Sequence, residues 1–276
     1  MDLEEVEVKI EVIERGDNRL SIVLREVSVL TANSIRRAMI SEVPTMAIEH
    51  VFIYKNTSVL DDEILSHRLG LIPLKTDLSK YVPNDECECK NELGCPKCSV
   101  SMYLEAKAEK GIKIVYSGEI RSEDEEIVPV SPDIPIVKLS QGQEISLEMK
   151  AIVGRGKNHA KWQPVSVAVV RGIPTFSVSE EKCDLCGKCV EECPKGIIEL
   201  NGKPTLKNKY MCTTCKICER NCPRKAINVD VDESSSILTL ESNGQLKPKE
   251  IVLKAIDILI NKVKGFQETI RGVKIE

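Results

Sequence analysis

Alternation of apolar and polar residues marks strands from the N-terminus to near the end of the chain. Apolar residues occupy every second position from Val6 to Val12 and again from Leu20 to Leu24, with turn residues at 15–18 between them. A period of two is that of a half-buried strand, so this segment is predicted to form a hairpin. The same pattern predicts further strands at 48–54, 112–116, 145–149, 165–169 and 237–240.

Helical periodicity predicts two short helices in the first quarter of the chain. The first has Thr31 or Asn33 as its cap, because both side chains can accept a hydrogen bond from the first turn, and it ends before Pro44. The second is predicted at 61–70, where acidic residues occupy the positive end of the helix dipole and Gly70 ends the helix.

A third helix is predicted near the C-terminus, from Pro248 to about Gly265. Proline suits a first helical turn because its missing N–H has no partner there in any case. Seven apolar residues spread around more than one side of this helix between 251 and 260. Such a helix is either buried deep in the core or packed on a partner chain.

Composition and charge narrow the class of protein. The 276 residues are 42% apolar and 30% charged, enough for one large domain or two ordinary ones. The sequence contains no apolar run of 18 residues and opens with acidic residues, so we expect a cytoplasmic protein that contacts no membrane. A net charge of −4 argues against general polyanion binding.

The twelve cysteines lie in two groups, four at 87–98 and eight at 183–222. In a reducing compartment, clustered cysteines indicate metal ligands and not disulfides. The smaller group comprises Cys87, Cys89, Cys95 and Cys98. Four thiolates on twelve residues can close a tetrahedral structural zinc site. The alternatives are four empty reduced thiols or a third iron–sulfur cluster.

The eight cysteines form two runs of C-x2-C-x2-C-x3-C-P, which resemble the cluster-binding runs of bacterial ferredoxins. In such runs the fourth cysteine serves the other cluster, so the resemblance implies two [4Fe–4S] clusters. The first cluster has the predicted ligands Cys183, Cys186, Cys189 and Cys222, and the second has Cys212, Cys215, Cys218 and Cys193. A pair of zinc sites is the alternative.

Outside the cysteines, four segments carry a resemblance that covers nearly the whole chain. They are 33–48, 56–74, 156–165 and 240–250, and they resemble motifs of the alpha-like assembly subunits of RNA polymerases. With the ferredoxin-like insertion, the chain is similar to the D-type subunits of the archaeal enzymes, in the form that carries two cluster motifs.

The resemblance implies an α+β fold with three parts. A discontinuous dimerisation domain comprises 1–46 and 225–276, an inserted alpha-like α/β domain comprises 47–174 and carries the cysteine loop, and a ferredoxin-like domain comprises 175–224. It also implies a non-catalytic scaffold that pairs with subunit L, joins subunit N and docks the second-largest catalytic subunit. DNA is then contacted only through the complex.

Residues for the partner interface follow from the same resemblance and from the apolar excess of the last helix. They are Arg36, Arg37, Ile256 and Leu259, with Trp162 as a further candidate contact. No constellation of acids, nucleophiles or histidines supports catalysis by this chain, and the three histidines are dispersed in the sequence.

Two other functions compete with assembly. The ferredoxin motifs alone favour an iron–sulfur electron-transfer subunit of an anaerobic oxidoreductase, which would hold the same two clusters. A zinc-dependent nucleic-acid binder is less favoured, because the sequence lacks a basic stripe with interleaved aromatic residues.

Overall fold

The computed structural model describes residues 8–272 of the chain, as a mixed α/β protein. Val6 of the predicted hairpin and both ends of the predicted dimerisation domain lie outside these residues. The described strands are β1 Lys9–Arg15, β2 Arg19–Arg25, β3 Pro44–Asn56, β4 Ser99–Lys107, β5 Lys113–Tyr116, β6 Arg121–Ser122, β7 Pro135–Leu139, β8 Glu144–Arg155, β9 Val165–Val178, β10 Ile198–Leu200, β11 Pro204–Leu206 and β12 Ile227–Ser242. The described helices are α1 Val29–Ser41, α2 Asp62–Gly70, α3 Lys188–Glu191, α4 Ile217–Arg220 and α5 Pro248–Gly272.

The larger of two compact units is built on a four-stranded antiparallel sheet of order β3-β8-β4-β6. This unit comprises Glu14–Leu20, Ser34–Ala168 and the described residues from Leu240 onward. The apolar face of the sheet packs against α2 and encloses a core of 23 buried residues among those described. That core is large enough to support the unit through burial of apolar surface.

Two glycines at the end of β8 permit close packing between elements of this unit. A Cβ atom on Gly154 would lie 2.4 Å from the indole of Trp162, and one on Gly156 would lie 2.1 Å from the carbonyl oxygen of Ile40. Trp162 is 6% exposed, and its Nε1 donates a hydrogen bond to the Ile152 carbonyl oxygen at 3.2 Å. Trp162, predicted to be either a packing group or a partner contact, is therefore a packing group, because its ring is buried against Ala47 and Ile152.

The smaller unit comprises the described residues up to Ile13, with Ser21–Asn33 and Val169–Thr239. It holds most of a second four-stranded sheet, of order β1-β2-β12-β9, and the two-stranded sheet β10-β11. Around the eight cysteines the apolar core is small. Its six buried residues are Cys189, Ile197, Ile198, Cys218, Ile227 and Val229. Two of the six are predicted cluster ligands, so the predicted cluster sites lie at the centre of this region.

Helix α1 begins earlier than predicted. The Oγ atom of Ser28 accepts a hydrogen bond from the Thr31 backbone N–H at 3.2 Å, and the helix spans Val29–Ser41. Serine is among the preferred capping residues, and this one lies upstream of both predicted caps.

Helix α5 is longer than predicted, because Gly265 does not end it. A glycine inside a helix costs about 1 kcal/mol relative to alanine, and the good helix formers Gln267 and Glu268 follow it. Its first turns are buried at Pro248, Ile251, Val252 and Ala255, whereas every residue from Ile260 to Gly272 is exposed. No helix in the described part of the chain combines the length and apolar character needed to cross a membrane.

Candidate metal centres

The first cysteine group lies on a loop that precedes β4 in the larger unit. Its four Sγ atoms all lie within 4.8 Å of one another. Cys87 and Cys95 are 3.7 Å apart at sulfur, whereas the pairs Cys89–Cys98 and Cys95–Cys98 are each 3.8 Å apart. The loop therefore gathers the four predicted ligands at one point.

The separations of these sulfur atoms fit one tetrahedral ion. With a zinc–sulfur distance of about 2.3 Å, the corners of a tetrahedron lie roughly 3.8 Å apart. A four-iron cube would hold its thiolates farther apart, because iron atoms and sulfides lie between them. The geometry thus favours zinc over a third iron–sulfur cluster at this loop.

The pKa values of two thiols in this loop shift in opposite directions because their surroundings differ. A hydrogen bond from the Lys97 backbone N–H lowers the pKa of Cys95 to about 7. Burial raises the pKa of Cys98 to about 12, and its thiol donates to the Asn84 side-chain oxygen at 3.3 Å. A metal ion binds thiolates, so binding here displaces the Cys98 proton.

A buried arginine anchors this loop to the sheet. Arg155, at the end of β8, is 9% exposed and forms ion pairs with Asp85 and Glu86, which directly precede Cys87. Arg155 lies opposite Pro44 in the β3–β8 ladder. A guanidinium that binds two carboxylates fixes their orientation as well as their charge. The sheet thereby positions the first cysteine of the site.

Replacing Arg155 by methionine should weaken metal retention at the cysteine loop. The substitution removes both ion pairs while keeping an apolar side chain of similar length, so the loop is less preorganised. Loss of an outer-shell contact typically costs 10–100-fold in metal affinity, and we expect zinc loss to a chelator to be about tenfold faster. Release is measured with a zinc-sensitive dye, with Arg121→Met, at an exposed position of β6, as the matched control. Equal release from both variants would contradict the anchoring role.

The eight remaining cysteines lie on two loops with the same backbone geometry. Residues in the left-handed region recur two and four positions after the first cysteine of each run and three positions after the last. They are Leu185, Gly187 and Gly196 in the first run and Thr214, Lys216 and Lys225 in the second. Four of these six are not glycine, although side chains disfavour this region by about 1–2 kcal/mol. Both loops therefore wind in the same way, as their sequence repeat predicts.

Electrostatic contacts group these thiols as the ferredoxin resemblance implies. Burial raises the pKa of the Cys189 thiol, and the charges of Cys183, Cys186 and Cys222 raise it further. The same causes raise the pKa of Cys218 to about 11, with Cys212, Cys215 and Cys193 as its neighbours. Each set therefore combines three cysteines of one run with the fourth of the other. Cluster ligation by these sets stays a prediction.

A backbone amide donates a hydrogen bond to one sulfur of each set, and apolar side chains lie beside the second set. The Thr214 N–H donates to Cys212 Sγ at 3.5 Å, and the Ala226 N–H donates to Cys222 Sγ, of the first set, at 3.3 Å. A small cavity beside the second set is lined by cysteine sulfurs and apolar groups, among them Phe176, Ile197, Ile198 and Val229. Thiolates, N–H···S hydrogen bonds and an apolar shell are the surroundings that an iron–sulfur cluster requires.

Comparisons with known proteins match the insert domain and the first of the two cysteine runs. The RNA polymerase Rpb3/RpoA insert domain family matches residues 51–173, and the 4Fe-4S binding domain family matches residues 176–199. DNA-directed RNA polymerase subunit Rpo3 of Methanosarcina acetivorans is 42% identical over 260 residues, which cover 93% of this chain and 96% of that protein. The chain belongs to the Rpo3 family of DNA-directed RNA polymerase subunits.

Other relatives match this chain over nearly its whole length. Rpo3 of Archaeoglobus fulgidus is 39% identical over 267 residues, 96% of this chain and 99% of that protein. RNA polymerase II subunit rpb3 of Dictyostelium discoideum is 34% identical, over 94% of this chain and 93% of that protein. The predicted fold class, with an alpha-like insert and a ferredoxin-like region, is confirmed. The matches do not favour the alternative, an electron-transfer subunit of an oxidoreductase.

Among the residues predicted for the partner interface, the Rpo3-family fold places two on each of two helices. Arg36 is half-buried and Arg37 is exposed on α1, while Ile256 and Leu259 are half-buried on α5. Their role at an interface stays a prediction.

Sequence reasoning missed two features of the fold. The three histidines, dispersed in the sequence, line one cleft with Glu49 and Lys161: they are His50, His67 and His159. It also passed over Arg155, although its position between the two glycines of Gly154-Arg155-Gly156 was a signal that the backbone is crowded there.

Proposed function

We propose that this chain is a non-catalytic assembly subunit of an archaeal DNA-directed RNA polymerase in the cytoplasm. It pairs with a subunit of the L type, and with an N-type subunit the pair forms the platform on which the second-largest catalytic subunit docks. DNA is contacted only through the assembled enzyme. The observation that carries this proposal is an apolar stripe along α5.

The α5 stripe is defined by six residues: Leu253, Ile256, Ile260, Val263, Phe266 and Ile270. Successive residues are three or four positions apart, which places all six on one side of the helix. Ile256 is half-buried, and the other five are 45–67% exposed. A continuous apolar stripe in water marks a protein interaction site, and its steps are those that pack on another helix.

Ion pairs fix the stripe relative to α1. Glu42, just after α1, binds Lys262 of α5 at 2.7 Å and Lys157 at 3.4 Å. Glu42 is mostly buried, and its two lysines are about half exposed. The exposed half of α5 therefore projects from a fixed point beside the end of α1, which supports a partner face that includes both helices.

The proposal includes three metal centres and the domain boundaries given by the sequence. Two [4Fe–4S] clusters bind the two cysteine sets of the ferredoxin-like region, 175–224, and one structural zinc ion binds Cys87–Cys98 within 47–174. The residues 1–46 and 225–276 form the dimerisation domain. The clusters supply folding free energy to their own region, whose apolar core is small.

Affinity purification of the native protein tests the assembly role. We expect the two largest RNA polymerase subunits and the L-type and N-type subunits to co-purify at equal stoichiometry. Co-purification with a flavin- or nicotinamide-dependent redox enzyme, and without polymerase subunits, would contradict the proposal and support the electron-transfer alternative.

Metal analysis of the anaerobically purified chain should find about eight iron atoms and eight sulfides, four of each per cluster, with one zinc ion. Cys183→Ser and Cys212→Ser should each remove about half of the iron, because they lie in different ligand sets. A reproducible iron content near four in the unaltered chain would mean that only one cluster binds. An absence of zinc would contradict the proposal for Cys87–Cys98.

A further inference from the structure

Residues on the smaller unit connect one of the two cysteine sets to the N-terminal hairpin, β1–β2. Arg171 of β9 donates from Nη1 to the Cys212 carbonyl oxygen at 3.0 Å and from Nη2 to the Tyr210 carbonyl oxygen. Both carbonyls lie at the end of a short 3-10 turn, Lys209–Met211, that leads into Cys212. The guanidinium thus donates hydrogen bonds to carbonyl groups that the turn itself leaves unpaired. Its positive charge is also attracted to the partial negative charge at this end of the turn.

The side chain of Tyr210 continues the connection toward the hairpin. Its ring packs on the small core of Val23, Ile173 and Ile237. Its hydroxyl donates to Glu11 Oε2 of β1 at 2.8 Å and accepts from Arg25 Nη2 of β2 at 3.2 Å. Arg25 also binds Glu11 directly at 3.0 Å. One tyrosine therefore contacts both strands of the hairpin.

Strand β1 needs such a fixed point more than the other strands of its sheet. It lies at the edge of the sheet, and all seven of its residues are exposed. Ile10 and Val12 are 62% and 57% exposed, so burial of apolar surface does little to hold them. Glu11, between them, is the residue that Tyr210 and Arg25 bind.

The first cysteine set is attached in a different way. The Cys183 N–H donates to the Ser179 carbonyl oxygen at 3.1 Å, and the Ser179 N–H donates to the Ala226 carbonyl oxygen at 2.8 Å. Asp184 pairs with Arg224 at 3.2 Å. These contacts join the first loop to its own region and to the end of β9, and they do not involve the hairpin.

We propose that Arg171 and Tyr210 are positioning residues that couple the second iron–sulfur cluster, and not the first, to the order of the N-terminal hairpin. The inference rests on the proposed two-cluster assignment. When the second cluster binds, it fixes the segment 209–218, and the contacts to Glu11 and Arg25 form at little further entropic cost. When it is lost, that segment becomes mobile and the hairpin loses its fixed point.

Hydrogen exchange of the full-length chain, measured over Lys9–Arg25, tests the coupling. The matched variants are Cys215→Ser and Cys186→Ser, which change the second cysteine of each run; both residues are exposed, and each belongs to a different ligand set. We expect Cys215→Ser to speed exchange of the hairpin about tenfold, or ~1.4 kcal/mol in opening free energy, and Cys186→Ser to leave it unchanged. Equal effects of both variants, or no effect of either, would overturn the inference.

A second pair of variants keeps both clusters in place. Arg171→Lys retains a positive charge but cannot bind two carbonyls as the guanidinium fork does, and Tyr210→Phe keeps the ring in the core without its hydroxyl. Each should speed hairpin exchange while the iron content stays at the wild-type value. Unchanged hairpin exchange in both variants would overturn this inference and leave the cluster assignment standing. An iron-free wild-type chain from anaerobic purification would instead overturn the cluster assignment on which it rests.

Discussion

Replacing Val263 by aspartate should abolish pairing with the L-type subunit while leaving this chain folded. Val263 is 67% exposed at the centre of the α5 stripe, so the substitution disturbs little in the isolated chain. In the complex it would bury a charge in an apolar contact, which costs several kcal/mol. We expect affinity to fall at least about a hundredfold, or ~2.8 kcal/mol. Ile256 and Leu259 are poorer test positions, because they are half-buried in the chain itself.

The matched control is Asn261→Asp. It adds the same charge two residues away, and at about 100° per residue position 261 lies roughly on the opposite side of α5 from position 263. Co-expression with the L-type subunit followed by size-exclusion chromatography measures pairing. If Val263→Asp pairs as tightly as Asn261→Asp, the stripe is not the interface and the proposed dimer must form through another surface.

Changing all eight ferredoxin-motif cysteines to serine should unfold their region and leave the insert domain intact. Among the described residues, the core around these cysteines has six buried residues, two of them cysteines, whereas the main core of the larger unit has 23. Without clusters, the region loses its main source of folding free energy. Trypsin should cut within 180–225, which contains ten lysines and arginines, on the order of a hundredfold faster, while peptides from 51–173 keep their wild-type protection.

The same variant separates pairing from later assembly. The α5 stripe lies in the larger unit, so the cluster-free chain should still bind the L-type subunit. Incorporation of the second-largest subunit should fall, since the unfolded region no longer presents a fixed surface. Reconstitution from purified subunits, followed by a transcription assay, measures both steps. Equal assembly and activity with and without clusters, in air and under nitrogen, would show that the clusters do not control assembly.

The sequence predicted the grouping of the cysteines more completely than the contacts that support them. Cysteine spacing within a run is a local property, and the resemblance to ferredoxins supplies the exchange of the fourth cysteine between the two runs. Arg155 and Arg171 each bind groups that lie 39 or more positions away in the chain. Neither contact follows from spacing, because it depends on how the strands are arranged in space.

Element boundaries show the same limit on a smaller scale. Gly265 and Thr31 are a plausible helix end and a plausible helix start, and local preference alone selects both. The observed ends depend on neighbouring residues. The hydroxyl of Ser28 caps helix α1 upstream of Thr31, and the residues after Gly265 favour continuation of helix α5. The cleft formed by the three histidines is a tertiary feature of this kind too, since nothing in their separate positions indicated it.

Because the two apolar cores differ in size, folding of this subunit should depend differently on iron and on zinc. With the proposed centres, a chain synthesised without iron would keep an insert domain that rests on a large core and a zinc loop, and would lack only a folded ferredoxin-like region. A chain made during zinc starvation lacks one loop of that insert domain. The two conditions would thus leave two different incomplete subunits, and only the one made without iron would expose the ten lysines and arginines of 180–225.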